Sequence, residues 1–157
     1  MVIRDAVRPS DLDAIREIVT STAFFNAAEI DVAVELIQER LSRGEASGYH
    51  FLFAEIDDKT LAYSCYGLIA GTAASFDLYW IAMHNDFRGR GIGKMVLDAS
   101  EAAIARMGGH RIYVETSSRP QYVPTRGFYQ ACGYVLEAVL QDFYAPGDSK
   151  CIFVKAV

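Results

Sequence analysis

Apolar and polar residues along this chain repeat with a period that changes between strand-like and helix-like runs. The segment 2–7 predicts a short strand, and the apolar residues that follow recur at helical spacing. Ser10 and Asp13 predict a capped start for this first helix, and Asn26 and Glu29 predict the same for a second one. The first quarter of the chain is therefore expected to fold as a strand and two helices.

The rest of the chain alternates strands with two more helices. The pattern predicts strands at 49–56, 62–69, 77–83, 111–115, 134–140 and 151–154, and helices at 92–107 and 124–131. Asp57-Asp58-Lys59 is the turn predicted between the first two of these strands, and Gly108-Gly109 ends the longer helix. The order β-α-α-β-β-β-α-β-α-β-β predicts an α/β fold in three layers, α/β/α, around a mixed sheet.

Length and composition limit the classes of function. The chain has 157 residues, 52% of them hydrophobic and 22% charged, which is expected of one globular domain spanning 1–157. Its net charge of -5 argues against nucleic acid or an anionic membrane surface as a partner. We expect a cytoplasmic protein, because the N-terminus does not resemble a signal peptide. The three cysteines and three histidines show no metal-ligand spacing, so we expect no metal.

One basic, glycine-rich segment stands between the predicted strand 77–83 and the predicted helix 92–107: it reads Arg88-Gly89-Arg90-Gly91-Ile92-Gly93-Lys94. Glycines let backbone N–H groups approach an anion, and a helix N-terminus attracts negative charge. The segment therefore predicts a phosphate-binding turn, although the same residues also occur in plain solvated turns. Its spacing is neither that of a P-loop nor that of a dinucleotide fingerprint.

This segment and a later one together resemble the GNAT family of N-acetyltransferases. The family's first signature, [QR]-x-x-G-x-[GA] after the fourth strand, corresponds to Arg88-x-x-Gly91-x-Gly93. The second, F-Y-x-x-x-G-[FY] after the fifth strand, corresponds to Phe128-Tyr129-x-x-x-Gly133-Tyr134. The order of elements also agrees, so the resemblance covers essentially the whole chain. It implies a mostly antiparallel central sheet splayed between strands 4 and 5.

The resemblance also implies that acetyl-CoA is the co-substrate. Its pyrophosphate would lie on the turn 88–94, and its pantetheine arm would run along the backbone of Ile81, Ala82 and Met83. One backbone N–H there would hold the thioester carbonyl. Many relatives have an asparagine six residues before the phenylalanine of the second signature, where this chain has Tyr122. We expect Thr116, or its neighbour Ser117, to supply the missing polar contact.

Two residues are the catalytic candidates that the resemblance implies. Acetylation needs a neutral amine, so a group must accept the amine's proton, and the leaving thiolate needs a proton in return. Asp77 stands where relatives often have, on the fourth strand, a carboxylate that acts as the general base. An aspartate here also fits the end of a hairpin. Tyr129 stands where the family has its general acid, although it also fits a helix packed on the sheet.

The acceptor pocket of this family is formed by the first two helices, the loop between them and the late strands. The corresponding candidates here are Phe24, Phe25, Glu29, Tyr79 and Tyr122. Aromatic and acidic groups suit an amine, but Glu29 also fits a helix cap and Phe24-Phe25 a core.

Taken together, the sequence predicts an N-acetyltransferase that acts on a small-molecule or peptide amine by direct transfer in a ternary complex. The alternative is a non-catalytic acetyl-CoA-binding sensor or assembly module. The identity of the acceptor stays open, and a homodimer is an expected form because dimers are common in the family.

Overall fold

The computed structural model describes residues 1–157. The strands are β1 (Val2–Arg4), β2 (His50–Ile56), β3 (Lys59–Leu68), β4 (Ser75–Met83), β5 (Arg111–Ser117), β6 (Val135–Ala145) and β7 (Asp148–Ala156). The helices are α1 (Asp11–Ser21), α2 (Ala27–Arg43), α3 (Ile92–Arg106) and α4 (Val123–Ala131). Short 3₁₀ turns lie at Gly44–Ser47, Asn85–Phe87 and Pro120–Tyr122. No helix is both long and apolar enough to cross a membrane.

All seven strands belong to one mixed sheet with the order β1-β2-β3-β4-β5-β7-β6. β4 and β5 are parallel, and their ladder joins three residue pairs, from Ser75 opposite Arg111 to Asp77 opposite Tyr113. The pairs β1–β2, β2–β3, β5–β7 and β6–β7 are antiparallel. The predicted order of elements and the predicted mixed α/β fold are confirmed.

The chain divides into two compact units, one formed by 1–67 and 78–103, the other by 68–77 and 104–157. In the first unit, successive residues of a strand point to opposite faces of the sheet, as the two-residue period of a strand requires. Trp80 and Ala82 of β4 pack in the cluster that contains α1 and α2, whereas Ile81 and Met83 pack in the cluster that contains α3. Helices therefore cover both faces of the sheet in this unit.

A buried ionic network holds the start of the chain to the first unit. The Arg4 guanidinium donates to the Asp11 carboxylate at 2.8 and 3.0 Å and to Glu55 Oε1 at 2.8 Å. Arg4 is 8% exposed and Asp11 is 1% exposed. The Asp11 carboxylate also accepts the backbone N–H of Arg8 at 2.7 Å. This network joins β1, α1 and β2 with each charge paired.

The N-terminus of α1 differs from the predicted cap. Ser10 has helical backbone angles and its side chain makes no cap hydrogen bond, so the predicted pair with Asp13 does not form. The carboxylate of Asp11 instead holds the preceding turn by accepting the N–H of Arg8. In α2 the predicted capping box is present: Asn26 accepts from the N–H of Glu29 at 2.8 Å, and Glu29 accepts from that of Asn26 at 3.1 Å.

The second unit is built on the β6–β7 hairpin. β7 pairs with β5 on one side and with β6 on the other. The two hairpin strands are longer than the predicted 134–140 and 151–154, because only Pro146 and Gly147 separate them and Gly147 takes a φ of 80°. Tyr129 of α4 packs against the rings of Phe128, Tyr134 and Phe153. The second predicted signature is thus an aromatic cluster in this unit.

We predict that Asp11→Ala lowers the free energy of unfolding by about 3 kcal/mol, the lower end for breaking a buried ion pair, because the buried Arg4 charge then keeps only Glu55 as a carboxylate partner. Urea denaturation of the wild type and the variant measures this difference. Asp13→Ala, at an exposed position of the same helix, is the control and is expected to change stability by about 0.5 kcal/mol or less. Equal losses in the two variants would contradict the stabilising role of the network.

Candidate active site

The glycine-rich turn lies between the end of β4 and the first turn of α3, as the sequence predicts. Gly89 and Gly91 have φ values of 77° and 74°, which side chains rarely adopt. A Cβ added at either glycine would meet no atom within 4 Å. The glycines are therefore required by the direction of the backbone and not by crowding, and the surface beside them is open.

Backbone N–H groups at the start of α3 have no acceptor within the helix itself. The first intrahelical bond of this helix runs from the N–H of Met95 to the carbonyl of Gly91 at 3.1 Å. Helix geometry leaves the N–H groups of Ile92, Gly93 and Lys94 without acceptors within the helix. No acidic residue lies in the first turn of α3, whereas α1 has two there and α2 has one. The positive end of the α3 dipole is thus not neutralised by an acidic side chain of its first turn.

Basic side chains surround this helix start. Arg88 and Arg90 are exposed, and the Arg90 guanidinium lies 5.2 Å from the centre of the Phe87 ring. Lys94 is exposed and contacts Asp98, one helical turn later, at 2.6 Å. N–H groups at a helix N-terminus, positive side chains and little bulk are what a diphosphate needs. The residues of the turn therefore fit the pyrophosphate of a nucleotide.

His84, which the sequence analysis left without a role, holds the turn at its strand end. Its backbone N–H donates to the carbonyl of Leu61 at 2.7 Å, and its Nδ1 accepts the N–H of Asp86 at 3.2 Å. The side chain is buried, and its ring lies edge-on to Phe87. Asn85-Asp86 just after the apolar strand is the sequence signal for a turn here, because Asn and Asp side chains favour turns.

In the second unit, Asp77 lies inside β4 and not at the end of a hairpin, which was the structural alternative for this residue. Burial raises the pKa of its carboxyl group above the ordinary value of 3.8, and the nearby Glu115 raises it further. The ammonium of Lys150 acts in the opposite direction and lowers this pKa. Asp77 thus has the environment expected of a carboxylate that exchanges protons.

Glu115 and Lys150 were not among the residues predicted for the site. Lys150 Nζ lies 2.9 Å from Glu115 Oε2 and 3.9 Å from the centre of the Phe143 ring. Tyr144 belongs to the same group, since burial and the charge of Glu115 both raise the pKa of its phenol. Glu115 follows Tyr113 at a spacing of two on β5, which is a signal for a shared face. The contact with Lys150 depends on hairpin register, which the sequence does not show.

Two other predicted residues of this unit are buried. Thr116 is 6% exposed, and its Oγ1 has no hydrogen-bond partner in the structure. An orphaned buried hydroxyl suggests a ligand or water, which fits the predicted contact with pantetheine. Tyr129 is 5% exposed, and burial raises the pKa of its phenol well above the ordinary value of 10.0. The phenol therefore stays protonated and can donate a hydrogen bond.

The predicted acceptor residues have separate structural positions. Phe24 and Phe25 form an edge-to-face pair, and the Phe25 ring lies 5.0 Å from that of Trp80 in the first core cluster. Tyr79 is 39% exposed and contacts Tyr49 edge-on. Tyr122 lies under the Arg119 guanidinium, and Glu29 is engaged in the α2 cap. Phe25 and Glu29 thus have structural roles of their own.

Comparison with known proteins identifies the family. The model of the acetyltransferase (GNAT) domain matches residues 47–136. The chain belongs to the GNAT family of acetyltransferases. A GNAT-family protein from Desulfovibrio desulfuricans is 41% identical, with a TM-score of 0.97 over 99% of this chain and 98% of that one. Comparison with the curated proteins finds no match.

More distant GNAT structures share the fold. An aminoglycoside 6'-N-acetyltransferase, solved in complex with coenzyme A, is 17% identical with a TM-score of 0.79, over 99% of this chain and 97% of that one. A ribosomal-protein-alanine N-acetyltransferase from Brucella melitensis is 19% identical with a TM-score of 0.79, over the full length of both chains. The likeness to these two enzymes extends over the complete seven-stranded fold.

We predict that ionisation of Asp77 destabilises the native protein. Because folding raises the pKa of this carboxyl group, the native state binds its proton more tightly than the unfolded state does. The contribution of Asp77 to stability therefore falls as the pH rises from about 3.8 through the raised pKa. Asp77→Asn should gain stability relative to the wild type over this window and keep the gain at neutral pH.

Urea denaturation between acid and neutral pH measures this difference. The control is Asp31→Asn, at a position whose side chain is 64% exposed, which should show no such gain. A wild type that stays as stable as Asp77→Asn across the whole range would show that the carboxylate is not desolvated.

Proposed function

We propose that this chain is an acetyl-CoA-dependent N-acetyltransferase that transfers the acetyl group to a primary amine, directly and within a ternary complex. The observation that carries the proposal is the N-terminus of α3, where two glycines of positive φ, three basic side chains and a first turn without acidic residues occur together. We propose that the whole chain, 1–157, acts as one catalytic domain.

Acetyl-CoA, when bound, supplies an activated acetyl thioester. In our proposal the N–H groups of Ile92, Gly93 and Lys94 hold its pyrophosphate, together with Arg88 and Arg90. The backbone of Ile81, Ala82 and Met83 follows the pantetheine arm, because the side chains of Ile81 and Met83 are already engaged in the α3 cluster. The Thr116 hydroxyl gives a further polar contact.

Proton transfer is assigned to two residues. Asp77 accepts the proton of the amine, directly or through water, since its raised pKa brings the carboxylate closer to that task. The Tyr129 phenol, which its high pKa keeps protonated, donates to the leaving thiolate. Approximation of amine and thioester supplies much of the acceleration, and no covalent enzyme intermediate is needed.

An amine is the acceptor that the charges around Asp77 favour. The carboxylate of Glu115 acts electrostatically on both Asp77 and Tyr144, and carboxylates beside an aromatic ring attract a cation. The relatives whose structures resemble this one act on an aminoglycoside and on the alanine of a ribosomal protein. We therefore propose a small-molecule or peptide amine, without choosing between the two.

The first experiment follows thiol release from acetyl-CoA against a panel of small amines and peptides, with acetyl-CoA binding measured by calorimetry. Arg88→Ala should weaken acetyl-CoA binding about tenfold or more, through the loss of one charged phosphate contact. Arg43→Ala, which removes a 60% exposed arginine at the end of α2, is the matched control and should bind like the wild type.

Each outcome of this experiment has a definite meaning. Release that depends on one class of amine and falls in Arg88→Ala supports the enzyme and names its substrate class. Binding without release for any acceptor would replace the enzyme by an acetyl-CoA sensor. Absence of binding would mean that the turn has no cofactor role.

We predict that Tyr129→Phe lowers kcat on the order of a hundredfold, because the thiolate then leaves without its proton donor. The affinity for acetyl-CoA should change little. Tyr134→Phe is the control, since Tyr134 is buried in the same aromatic cluster. The centre of its ring lies 5.6 Å from the centre of the Tyr129 ring. Steady-state kinetics at saturating acetyl-CoA would contradict the role if both variants kept wild-type turnover.

A further inference from the structure

His84 lies where β4 passes into the proposed cofactor site. Its backbone N–H donates to the carbonyl of Leu61 on β3 at 2.7 Å, which fixes the residue on the sheet. The residue is 8% exposed. Its own carbonyl accepts the N–H of Phe87 at 3.0 Å, so the 3₁₀ turn Asn85–Phe87 begins at this histidine. The imidazole is therefore placed to hold the segment that leads to Arg88.

The hydrogen bond inside the 3₁₀ turn requires a neutral imidazole. Nδ1 of His84 accepts the backbone N–H of Asp86 at 3.2 Å. The same connectivity occurs in an Asx turn, in which a side-chain acceptor binds the N–H two residues later. A ring nitrogen that carries a hydrogen cannot accept, and both nitrogens carry one in the imidazolium. Protonation of His84 therefore removes the acceptor that closes the turn.

Charged groups from several elements lie around this imidazole. Glu17 of α1 has Oε1 3.7 Å from Nε2, and Asp86 has Oδ2 3.8 Å from Nδ1. Lys59 Nζ lies 3.8 Å from the same Glu17 oxygen, and the Arg90 guanidinium lies over the Phe87 ring that the imidazole contacts. A hydrogen on Nδ1 would find an acceptor in the Asp86 carboxylate, and the two carboxylates would balance the added charge. Protonation thus exchanges a bond to the backbone for one to a side chain.

The 3₁₀ turn is connected to the elements that form the proposed cofactor site. The N–H of Arg88 donates to the carbonyl of Asn85 at 3.4 Å, so the first basic residue of the glycine-rich turn is bonded to it. Phe87 packs in the cluster that contains Ile92 of α3. On the other side, the N–H of Asn85 donates to Ser21 Oγ, at the end of α1, at 3.0 Å. The positions of Arg88 and of the start of α3 therefore depend on the 3₁₀ turn.

We propose that His84 is a positioning residue for acetyl-CoA: the neutral imidazole holds the turn in the conformation that binds the diphosphate, and protonation releases the turn and weakens binding. The inference rests on the proposed function and adds a dependence on pH to the same site. Histidine side chains ordinarily change charge at about pH 6.5. The affinity for acetyl-CoA is therefore highest at neutral or higher pH and falls on acidification.

Calorimetric titration with coenzyme A tests the proposal at about pH 7.5 and about pH 5.5, on either side of the ordinary histidine titration. His84→Asn is the informative variant, because the asparagine oxygen can accept the N–H of Asp86 and does not titrate. Relative to His84→Asn at the same pH, the wild type should lose about fivefold in affinity on acidification, the size expected of one hydrogen bond. Titration of the ligand itself cancels in this ratio.

Two further variants separate the acceptor from the rest of the side chain. His84→Ala lacks the acceptor at every pH, and it should bind coenzyme A about fivefold more weakly than His84→Asn at both values. His110→Asn removes an exposed histidine elsewhere in the chain and should keep the pH dependence of the wild type. Equal affinities of His84→Ala and His84→Asn would overturn the proposal.

The wild type alone provides a measurement that needs neither a variant nor a ligand. In nuclear magnetic resonance spectra of the ¹⁵N-labelled protein, the amide resonance of Asp86 should move with the midpoint at which the His84 ring titrates. An amide that does not follow the ring would overturn the inference, as would a wild type whose affinity relative to His84→Asn stays constant or rises on acidification. Failure of coenzyme A to bind at either pH would instead contradict the proposed function, and the Asp86 amide would still decide whether the imidazole closes the turn.

Discussion

The proposed site depends on one electrostatic constraint: the first turn of α3 carries no acidic residue. α1 and α2 carry acidic residues in their first turns, and α2 is closed by a capping box. The first turn of α3 has no acidic residue and follows glycines and basic side chains. A helix N-terminus of this kind attracts an anion through its N–H groups and its dipole. The proposed cofactor site is this positive helix end.

The sheet determines where that helix end and its neighbours can act. In the first unit, β4 divides its side chains between two helix layers, so the strand backbone is the part that remains for a ligand. In the second unit, the short parallel pairing places Asp77 opposite Tyr113, two residues before Glu115 on β5. Burial and like charge then raise the pKa of Asp77. Strand register, rather than local sequence, brings these carboxylates into electrostatic contact.

The parts of the fold that could be predicted are those that depend on local chemistry. The order of elements follows from hydrophobic periodicity, and the capping box of α2 follows from Asn26 and Glu29. The glycine turn could be predicted because glycine tolerates the positive φ that Gly89 and Gly91 adopt. Local signals also misled once: Ser10 and Asp13 have the composition of a cap, but Asp11 is drawn into the buried network with Arg4. Arg4, the partner of Asp11, also pairs with Glu55, which is distant in sequence. The network that engages Asp11 is therefore seen only in the folded chain.

The same limit applies to the candidate site. The proposed cofactor turn is contiguous in sequence and could be predicted as a whole, whereas Lys150 meets Glu115 only through the β5–β7 ladder. The exposure of the apolar side chains of β6 could not be predicted either, because an apolar run in the sequence does not show whether anything covers it. Residues that act across strands therefore need coordinates, and residues that act along one turn do not.

The most direct test of the central claim is a nuclear magnetic resonance titration of the ¹⁵N-labelled protein with coenzyme A. The account predicts that the amide resonances of Ile92, Gly93 and Lys94 move the most, because their N–H groups gain phosphate acceptors. Amides at the capped start of α2 should stay in place. Coenzyme A binding that leaves the three α3 amides unchanged would contradict the account.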